Sequence, residues 1–236
     1  MASSALGSVY LIPCYLDEDH LEVIPAYVLE AAQQCQVFFV ENERTSRRFL
    51  KKLWKEMIID NYDWYTIHKA EQDVKDQFRQ QLQRGKNIGI LSEAGCPGVA
   101  DPGQILIAVA QQMGAPVKPL VGPNSILLGL MASGLNGQQF QFHGYLPIDA
   151  AQRNKLLKEL EQETIKSGST QIFIETPYRN TALLDAILQH CRPETRLCIA
   201  VDITGTNESI QTRTLRDWQK NKPELHKRPA VFLLGS

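Results

Sequence analysis

Short, wholly apolar runs alternate along the first half of the chain with stretches whose apolar residues recur every three or four positions. The runs read as buried strands and the periodic stretches as amphipathic helices. Val9 to Ile12 is the first strand, stopped at Pro13. A helix starting near Pro25 turns Val28, Ala31 and Cys35 inward, and Val37-Phe-Phe-Val40 is the second strand. The next helix carries a stripe of Leu50, Leu53, Trp54 and Met57. Trp64 to His68 reads as a strand, Val74, Phe78 and Leu82 as a helix ending at Gly85, and Ile88 to Leu91 as a strand. Ile105, Leu106, Ala108, Val109 and Met113 mark a helix closed by Gly114, and Val117 to Leu120 is a further strand. Strand–helix alternation of this kind predicts an α/β domain with a mostly parallel sheet.

The pattern changes after Gly122-Pro-Asn-Ser125, which opens a helix reaching about Ser133-Gly134. Gln139 to Tyr145 alternates, with Phe140, Phe142 and Gly144 on one side. Leu156, Leu157 and Leu160 mark a helix, Ile172-Phe-Ile174 a strand, Thr181 to His190 a helix and Leu197 to Val201 a strand. Ser209 to Thr214 has the period of a half-exposed strand, and Ala230 to Leu234 is apolar. Strands this close in sequence predict a mixed sheet. The expected organisation is therefore two α/β domains, 1–121 and 122–236, with the boundary near Leu120 to Gly122.

Between the fourth strand and its helix lies Ser92-Glu-Ala-Gly-Cys-Pro-Gly-Val-Ala-Asp-Pro-Gly103. Gly95, Pro97 and Gly98 supply unusual or fixed backbone angles. Asp101-Pro102 has the form of an N-cap followed by proline at the first helical position. In a parallel sheet, such a loop stands at the carboxyl ends of the strands, where ligands bind. A tight structural turn is the other reading of the same residues.

The 236-residue chain is 43% hydrophobic and 22% charged, with no apolar run near the roughly 18 residues of a membrane span. Met1 to Gly7 lacks the basic start and apolar core of a secretory leader. Cys14, Cys35, Cys96, Cys191 and Cys198 are scattered, without C-x-x-C spacing. That predicts a reducing, cytoplasmic setting and neither a structural zinc site nor a disulfide framework. A net charge of -1 gives no global pull toward nucleic acid. Arg44, Arg47, Arg48, Lys51, Lys52 and Lys55 are nonetheless spaced to share one helix face. That face is either simply solvated or a phosphate-contacting surface.

Several machineries are excluded by their missing motifs. There is no G-x-x-x-x-G-K-[ST] loop, no G-x-G-x-x-G after the first strand, no G-x-S-x-G elbow and no H-E-x-x-H helix. His20, His68, His143, His190 and His226 are isolated, and no metal site is expected.

The central loop resembles the S-D-A-G-x-P-x-x-S-D-P-G signature of the tetrapyrrole methylase family. Within that family it is most similar to the branch that methylates ribose 2′-hydroxyls of small-subunit ribosomal RNA. Further likenesses follow in order: Glu41-Asn-Glu-Arg44 with E-D-T-R, Gly122-Pro-Asn-Ser125 then Ser133-Gly134-Leu135 with G-P-S-A and S-G-L, Phe140 to Pro147 with F-x-F-x-G-F-L-P, and Glu175-Thr-Pro-Tyr-Arg179 with E-S-P-H-R.

The resemblance implies two α/β domains with S-adenosylmethionine in the cleft between them, usually in a homodimer. It places the cofactor against Ile12 and Pro13, then Glu93, Gly95, Cys96 and Val99, then Asn124 and Ser125, with Pro229 and Ala230 from the second domain. Glu93 would receive the cofactor's amino group or ribose hydroxyls, or else brace the loop. Candidate catalytic residues are Glu41, Arg44, Glu175, Arg179 and Asp202. The implied activity is methyl transfer to RNA, with a tetrapyrrole or other small molecule as alternative acceptor and non-catalytic cofactor binding as a third possibility.

The chain departs from the branch on the substrate side. Ile12-Pro-Cys-Tyr-Leu-Asp17 replaces T-P-I-G-N, Lys69-Ala-Glu-Gln72 replaces E-H-N-E, and Val201-Asp-Ile-Thr-Gly205 replaces R-E-L-T-K. The sequence also ends soon after Leu234, where the RNA enzymes often carry a small further segment.

Overall fold

The computed structural model describes residues 5–67 and 74–236. They fall into two compact units, 1–124 and 125–236. In the first unit β1 (Val9–Leu11), α1 (Tyr27–Gln33), β2 (Val37–Val40), α2 (Glu43–Leu53), β3 (Asp63–Thr66), α3 (Lys75–Gln83), β4 (Ile88–Leu91), α4 (Gln104–Met113) and β5 (Val117–Pro119) alternate as expected. The five strands form one sheet in the order β3-β2-β4-β1-β5, and every pairing in it is parallel.

Period-two burial explains the unbroken apolar runs. Tyr10, Phe38 and Val40 point to one face and pack with Val28, Ala31 and Ala32 of α1 and Phe49 and Leu50 of α2. Val9, Val37, Phe39, Ile88 and Ile90 point to the other and meet Phe78 and Leu82 of α3 and Leu106, Val109 and Ala110 of α4. A strand covered on both faces needs apolar residues at every position. Each such side chain removed from water is worth roughly 1.5–3 kcal/mol.

The second unit contains α5 (Ser125–Ser133), β6 (Phe140–Tyr145), α6 (Ala150–Ser167), β7 (Thr170–Ile174), α7 (Asn180–His190), β8 (Arg196–Val201), β9 (Ser209–Thr214), α8 (Leu215–Lys220) and β10 (Ala230–Gly235). Its sheet runs β6-β7-β10-β8-β9 and is mixed: β6 and β7 are parallel, and the other pairs antiparallel. Leu157, Leu160, Phe173, Ile187, Ile199 and Phe232 belong to the core under α6, α7 and α8. On the opposite face Gly129 of α5 lies over Ala200 and Leu233.

Local details differ from the sequence expectation. The third strand begins at Asp63 and ends at Thr66, and His68 lies outside the described residues, as does the Lys69 to Gln72 stretch. Helix α4 starts at Gln104 rather than at Pro102, with Gly103 (φ 123°) as its N-cap. A backward bend, in which the Gly98 amide donates to the Pro102 carbonyl, delays the start of the helix past Pro102. Ala108 faces outward, and Ala110 takes the inward place. Helix α2 ends at Leu53 because Trp54 leaves the helical region (φ -131°, ψ 89°). Its buried stripe is Ser46, Phe49 and Leu50, and Met57 is buried beyond the helix. Lys55 therefore sits off the helix. Phe140 is 44% exposed because β6 is an edge strand, and the irregularity between Phe142 and Tyr145, with Gly144 at φ 66°, breaks the expected alternation.

Gly89 sits in the middle of β4, where an added Cβ would stand 2.7 Å from the Phe38 ring and 2.9 Å from Ile12. Gly89→Ala is expected to destabilise the protein by about 1–3 kcal/mol through overpacking. Chemical denaturation of the two proteins side by side checks this, and an unchanged midpoint would contradict it.

Candidate functional site

Parallel pairing fixes where the polar chemistry of the first unit sits. Leu11 faces Ile90 and Pro119, and Val40 faces Leu91, so β1, β2, β4 and β5 end at one level. The segments leaving that level hold Ile12 and Pro13, Glu41, Ser92 onward, and Gly122 to Asn124.

The central loop is stitched to this rim by its backbone. Gly95, at φ 68°, exchanges two hydrogen bonds with Cys14: the Cys14 amide donates to the Gly95 carbonyl at 2.8 Å and the Gly95 amide returns one at 3.2 Å. The Cys96 thiol approaches the Pro123 carbonyl at 3.6 Å. Gly122 lies against the Pro13 ring, where a Cβ would overlap it. Ile12, Pro13, Gly95, Cys96 and Asn124 are thereby brought together. Val99 is 45% exposed at the loop's outer turn. Ser125 is the first residue of α5. Burial pushes the Cys96 thiol upward against a hydrogen bond with the Asn124 side chain, and burial followed by the charge of Asp101 pushes Cys14 up as well. Both sulfurs are neutral thiols at physiological pH, unsuited to nucleophilic work.

Three carboxylates cluster at the same rim. The Glu93 amide donates to Glu41 Oε2 at 2.8 Å, and the Thr45 hydroxyl donates to Glu93 Oε1 at 3.4 Å. Asp101 is pushed up to about 6 by burial first and then by Glu41 and Glu93, against a hydrogen bond with Ser92. Among the described residues none of the three forms an ion pair. The neighbouring cations are engaged elsewhere: Arg47 pairs with Glu43 and lies over the Trp64 ring, and Arg48 and Lys52 pair with Glu18. Lys51 donates to the Lys55 and Met57 carbonyls at the end of α2. Arg44 is exposed in the first turn, behind the Asn42 cap.

Beside the carboxylates is a cavity of ≈ 210 Å³, lined by Cys14 and Tyr15 after β1, Ser46 and Phe49 of α2, and Ser92 and Glu93 after β4. Only Glu93 of these six was among the residues expected from sequence to form a site. The signal for Ser46 was present, since it occupies the inward stripe of α2 one turn before Phe49 and Leu50.

The remaining candidates gather at one end of the second unit's sheet. Glu175 is 6% exposed, and its Oε1 accepts from the Thr176 amide (2.7 Å), Arg179 Nε (3.0 Å) and Arg179 Nη2 (2.6 Å). Asp202, at φ 47°, accepts from Arg228 Nε at 2.7 Å, and its amide donates to the Pro229 carbonyl at 3.0 Å. Ala230 is buried opposite Val201. These carboxylates are each neutralised by an arginine. Among the described residues no group of His, Cys, Asp and Glu suits a metal ion, and no helix is long and apolar enough to cross a membrane.

A doubly covered parallel sheet with its loops and acidic groups at one rim, joined to a unit built on a mixed sheet, defines an α/β protein of the ligand-at-the-strand-ends type. The model of the tetrapyrrole (corrin/porphyrin) methylases matches residues 19–219, and the chain belongs to that family. The ribosomal RNA small subunit methyltransferase I of Haemophilus influenzae is 30% identical over 236 residues, covering 97% of this chain and 78% of that protein. The Mesorhizobium japonicum protein of the same name is 37% identical over 135 residues, 57% of this chain and 45% of the relative. With the Vibrio cholerae protein, at 52%, that match spans about half of the relative's length. Among solved structures, the methyltransferase CobJ superposes with a TM-score of 0.63 at 16% identity, covering 98% of this chain and 94% of that one. Uroporphyrin-III C-methyl transferase from Thermus thermophilus complexed with S-adenyl homocysteine gives 0.59 at 16%, covering 98% of each. At these identities the structural likeness is one of fold.

The raised Asp101 has a stability consequence with a definite sign. Its folded value, about 6, lies above the ordinary 3.8. The folded chain therefore holds a proton that the unfolded chain gives up between about pH 4 and 6. Stability from this group is full below pH 4 and lost as pH rises through 6. Asp101→Asn is expected to stabilise the protein by about 1 kcal/mol at pH 7.5, allowing for solvent screening, and by much less at pH 4. Thermal melts at both pH values test this; an equal shift at the two would refute it.

Proposed function

We propose that the chain is an S-adenosylmethionine-dependent methyltransferase acting on RNA, at a ribose 2′-hydroxyl of ribosomal RNA. The observation that carries the cofactor assignment is the convergence of Glu41, Glu93 and Asp101 on a glycine-shaped loop, with none of the three in an ion pair among the described residues. Such a rim favours a cationic ligand, and the small residues of the loop let backbone groups approach it closely. S-adenosylmethionine supplies a methyl group already activated on a sulfonium.

The chain's own residues then have to bind and orient. Glu93, exposed at the mouth of the cavity, and the Gly95-Cys96 backbone, fixed by Cys14, present acceptors to the donor. Pro13 and Asn124 flank the same loop, with Ile12 buried beneath it; Val99 and Ser125 are further residues we assign to the donor. Pro229 and Ala230 and the paired Glu175–Arg179 and Asp202–Arg228 shape the loops of the second unit. Positioning of an attacking oxygen accounts for most of such a reaction.

The acceptor is assigned from the relatives, whose names are those of ribosomal RNA methyltransferases. Arg44, exposed at the start of α2, is the cation of the basic face that best fits a phosphate contact. The local pairing of Arg47, Arg48, Lys51 and Lys52 makes the rest of that face a weaker support. A second reading, methylation of a tetrapyrrole or other small molecule, is favoured by the fold likeness to CobJ and the uroporphyrin enzyme. Non-catalytic binding of the cofactor is the third, supported by the neutralised carboxylates of the second unit. We also assign a homodimer, a cytoplasmic setting and a division into domains at 121/122.

Titration calorimetry with S-adenosylmethionine tests the cofactor site. Affinity is expected to rise from pH 5 to 7 as Asp101 ionises and to level above. S-adenosylhomocysteine, lacking the sulfonium charge, is expected to show a shallower rise. Absence of binding at millimolar donor would overturn both enzyme readings. Labelled methyl transfer is expected to reach small-subunit ribosomal RNA and not uroporphyrinogen; the opposite outcome selects the second reading, and binding without transfer to either selects the third.

A further inference from the structure

Helix α2 and the segment that leaves β1 carry opposite charge. Asp17-Glu-Asp-His-Leu-Glu22 has acids at Asp17, Glu18, Asp19 and Glu22, whereas α2 sets Arg44, Arg47, Arg48, Lys51 and Lys52 against Glu43 alone. These cations do not share one fate. Arg47 is taken by Glu43 and the Trp64 ring, and Lys51 by the carbonyls at the helix end. Arg44, Arg48 and Lys52 stand one turn apart in a single exposed row, successive members rising about 6 Å along the axis. Among the described residues, Glu18 is the acid that pairs with this row. Its Oε2 lies 3.2 Å from Arg48 Nη1 and 3.6 Å from Lys52 Nζ, and its carbonyl accepts from Lys52 Nζ at 2.9 Å. Tyr15 seats the segment, its ring edge-on to Phe49 and beneath Lys52 Nζ, and Asp17 closes the turn by accepting from the Asp19 and His20 amides. Glu18 thus stands at the tip of a turn with its side chain 52% exposed, where Glu175 in its own ion pair is 3% exposed. A pair so open to water is weak and screened by salt.

We propose that Arg44, Arg48 and Lys52 form the surface that meets the RNA backbone, and that Glu18 is an internal anion holding two of the three until phosphates replace it. This rests on the RNA reading above and adds both the surface and the competitor that sets its affinity. One carboxylate oxygen shared by two cations on successive turns stands where a phosphate oxygen would be met. The exchange swaps one solvated anion for another, so it costs little beyond a weak pair, and each phosphate bound releases counterions from the RNA. A lone phosphate gains only what Glu18 already supplies, whereas a strand brings several phosphates to a row that tracks it. The row begins at the donor rim: Thr45, beside Arg44, donates to Glu93 at 3.4 Å. A strand laid along α2 is thereby led to the carboxylates that receive the methyl donor.

The test is anisotropy titration of a fluorescein-labelled single-stranded RNA dodecamer between about 50 and 200 mM salt. Glu18→Gln is expected to bind about threefold to tenfold tighter than the unaltered protein at the low-salt end, the order that two exposed ion pairs supply. Its salt dependence is expected to steepen by about 0.7, the slope of one single-strand phosphate contact. Asp19→Asn removes the same charge from the same turn without touching the row, and is expected to change affinity less than about twofold. The gain is expected to vanish in an Arg48→Gln, Lys52→Gln background, and Arg44→Gln to weaken binding with or without Glu18. All these positions are exposed, and thermal melts check that each variant is folded. Equal gains in Glu18→Gln and Asp19→Asn would make the effect one of overall charge and overturn the proposal. So would a gain that survives loss of Arg48 and Lys52. Unchanged affinity in Glu18→Gln, in a protein that methylates ribosomal RNA, overturns it while leaving the RNA reading intact. If the unaltered protein neither binds the dodecamer nor methylates ribosomal RNA, the RNA reading falls and this surface with it.

Discussion

The parallel register of β1 against both β4 and β5, and of β2 against β4, brings the chain off the first sheet at one height. Every residue of β2 and β4 is buried between two layers of helices, so no polar group can be placed along those strands without a cost of several kcal/mol. Chemistry is thereby confined to the strand ends. The loop from Ser92 to Gly103 follows the central strand, with strands on both sides, and is tied by Gly95 to the extension of β1 and by Cys96 toward Pro123. Glu41, Glu93, Asp101 and the cavity are close to each other because of the register, not because of their separation in sequence.

The two units treat their acidic groups differently. In the second, Glu175 and Asp202 are each met by an arginine at hydrogen-bond distance. In the first, Glu41 is given a backbone amide, Glu93 a hydroxyl at long range and Asp101 the Ser92 side chain, while nearby arginines and lysines are drawn to Glu43 and Glu18. Desolvation and mutual repulsion raise Asp101, and a bound cation would relieve both. The stability lost to this cluster at neutral pH is the kind of local cost that ligand sites carry.

Much of this was legible in the residues. Apolar runs such as Val37-Phe-Phe-Val40 announce strands buried on both faces, and the Gly-Pro-rich stretch after Leu91 announces the rim loop. The start of α4 was not legible, because whether Asp101-Pro102 caps a helix depends on the left-handed turns at Gly98 and Gly103, which fold the loop back on itself. The six-residue α8 is too short for periodicity, although Thr214 caps it by accepting from the Asp217 amide. The basic residues of α2 looked continuous by spacing, yet Glu18 and the carbonyls at the helix end take up most of them. Asp101 was read from the sequence as a helix cap, and its raised carboxyl was hidden for a similar reason: the shift comes from burial and then from Glu41, sixty positions away, neither of which one segment reveals.

The pairing in the second unit bears on what its residues can contribute to a methyl transfer. A carboxylate whose Oε1 already accepts three donors, as Glu175's does, is held for loop geometry rather than for taking a proton. Asp202, held in a left-handed conformation and fastened to Arg228, likewise fixes the turn that leads out of β8. Opening either partly buried pair would leave an uncompensated charge, so both are fixed features of their loops. Methyl transfer from an activated donor places its main demand on orientation, and rigid loops meet that demand. The proposed reading therefore assigns the second unit a shaping role, and puts charge recognition and acceptor binding on the rim of the first.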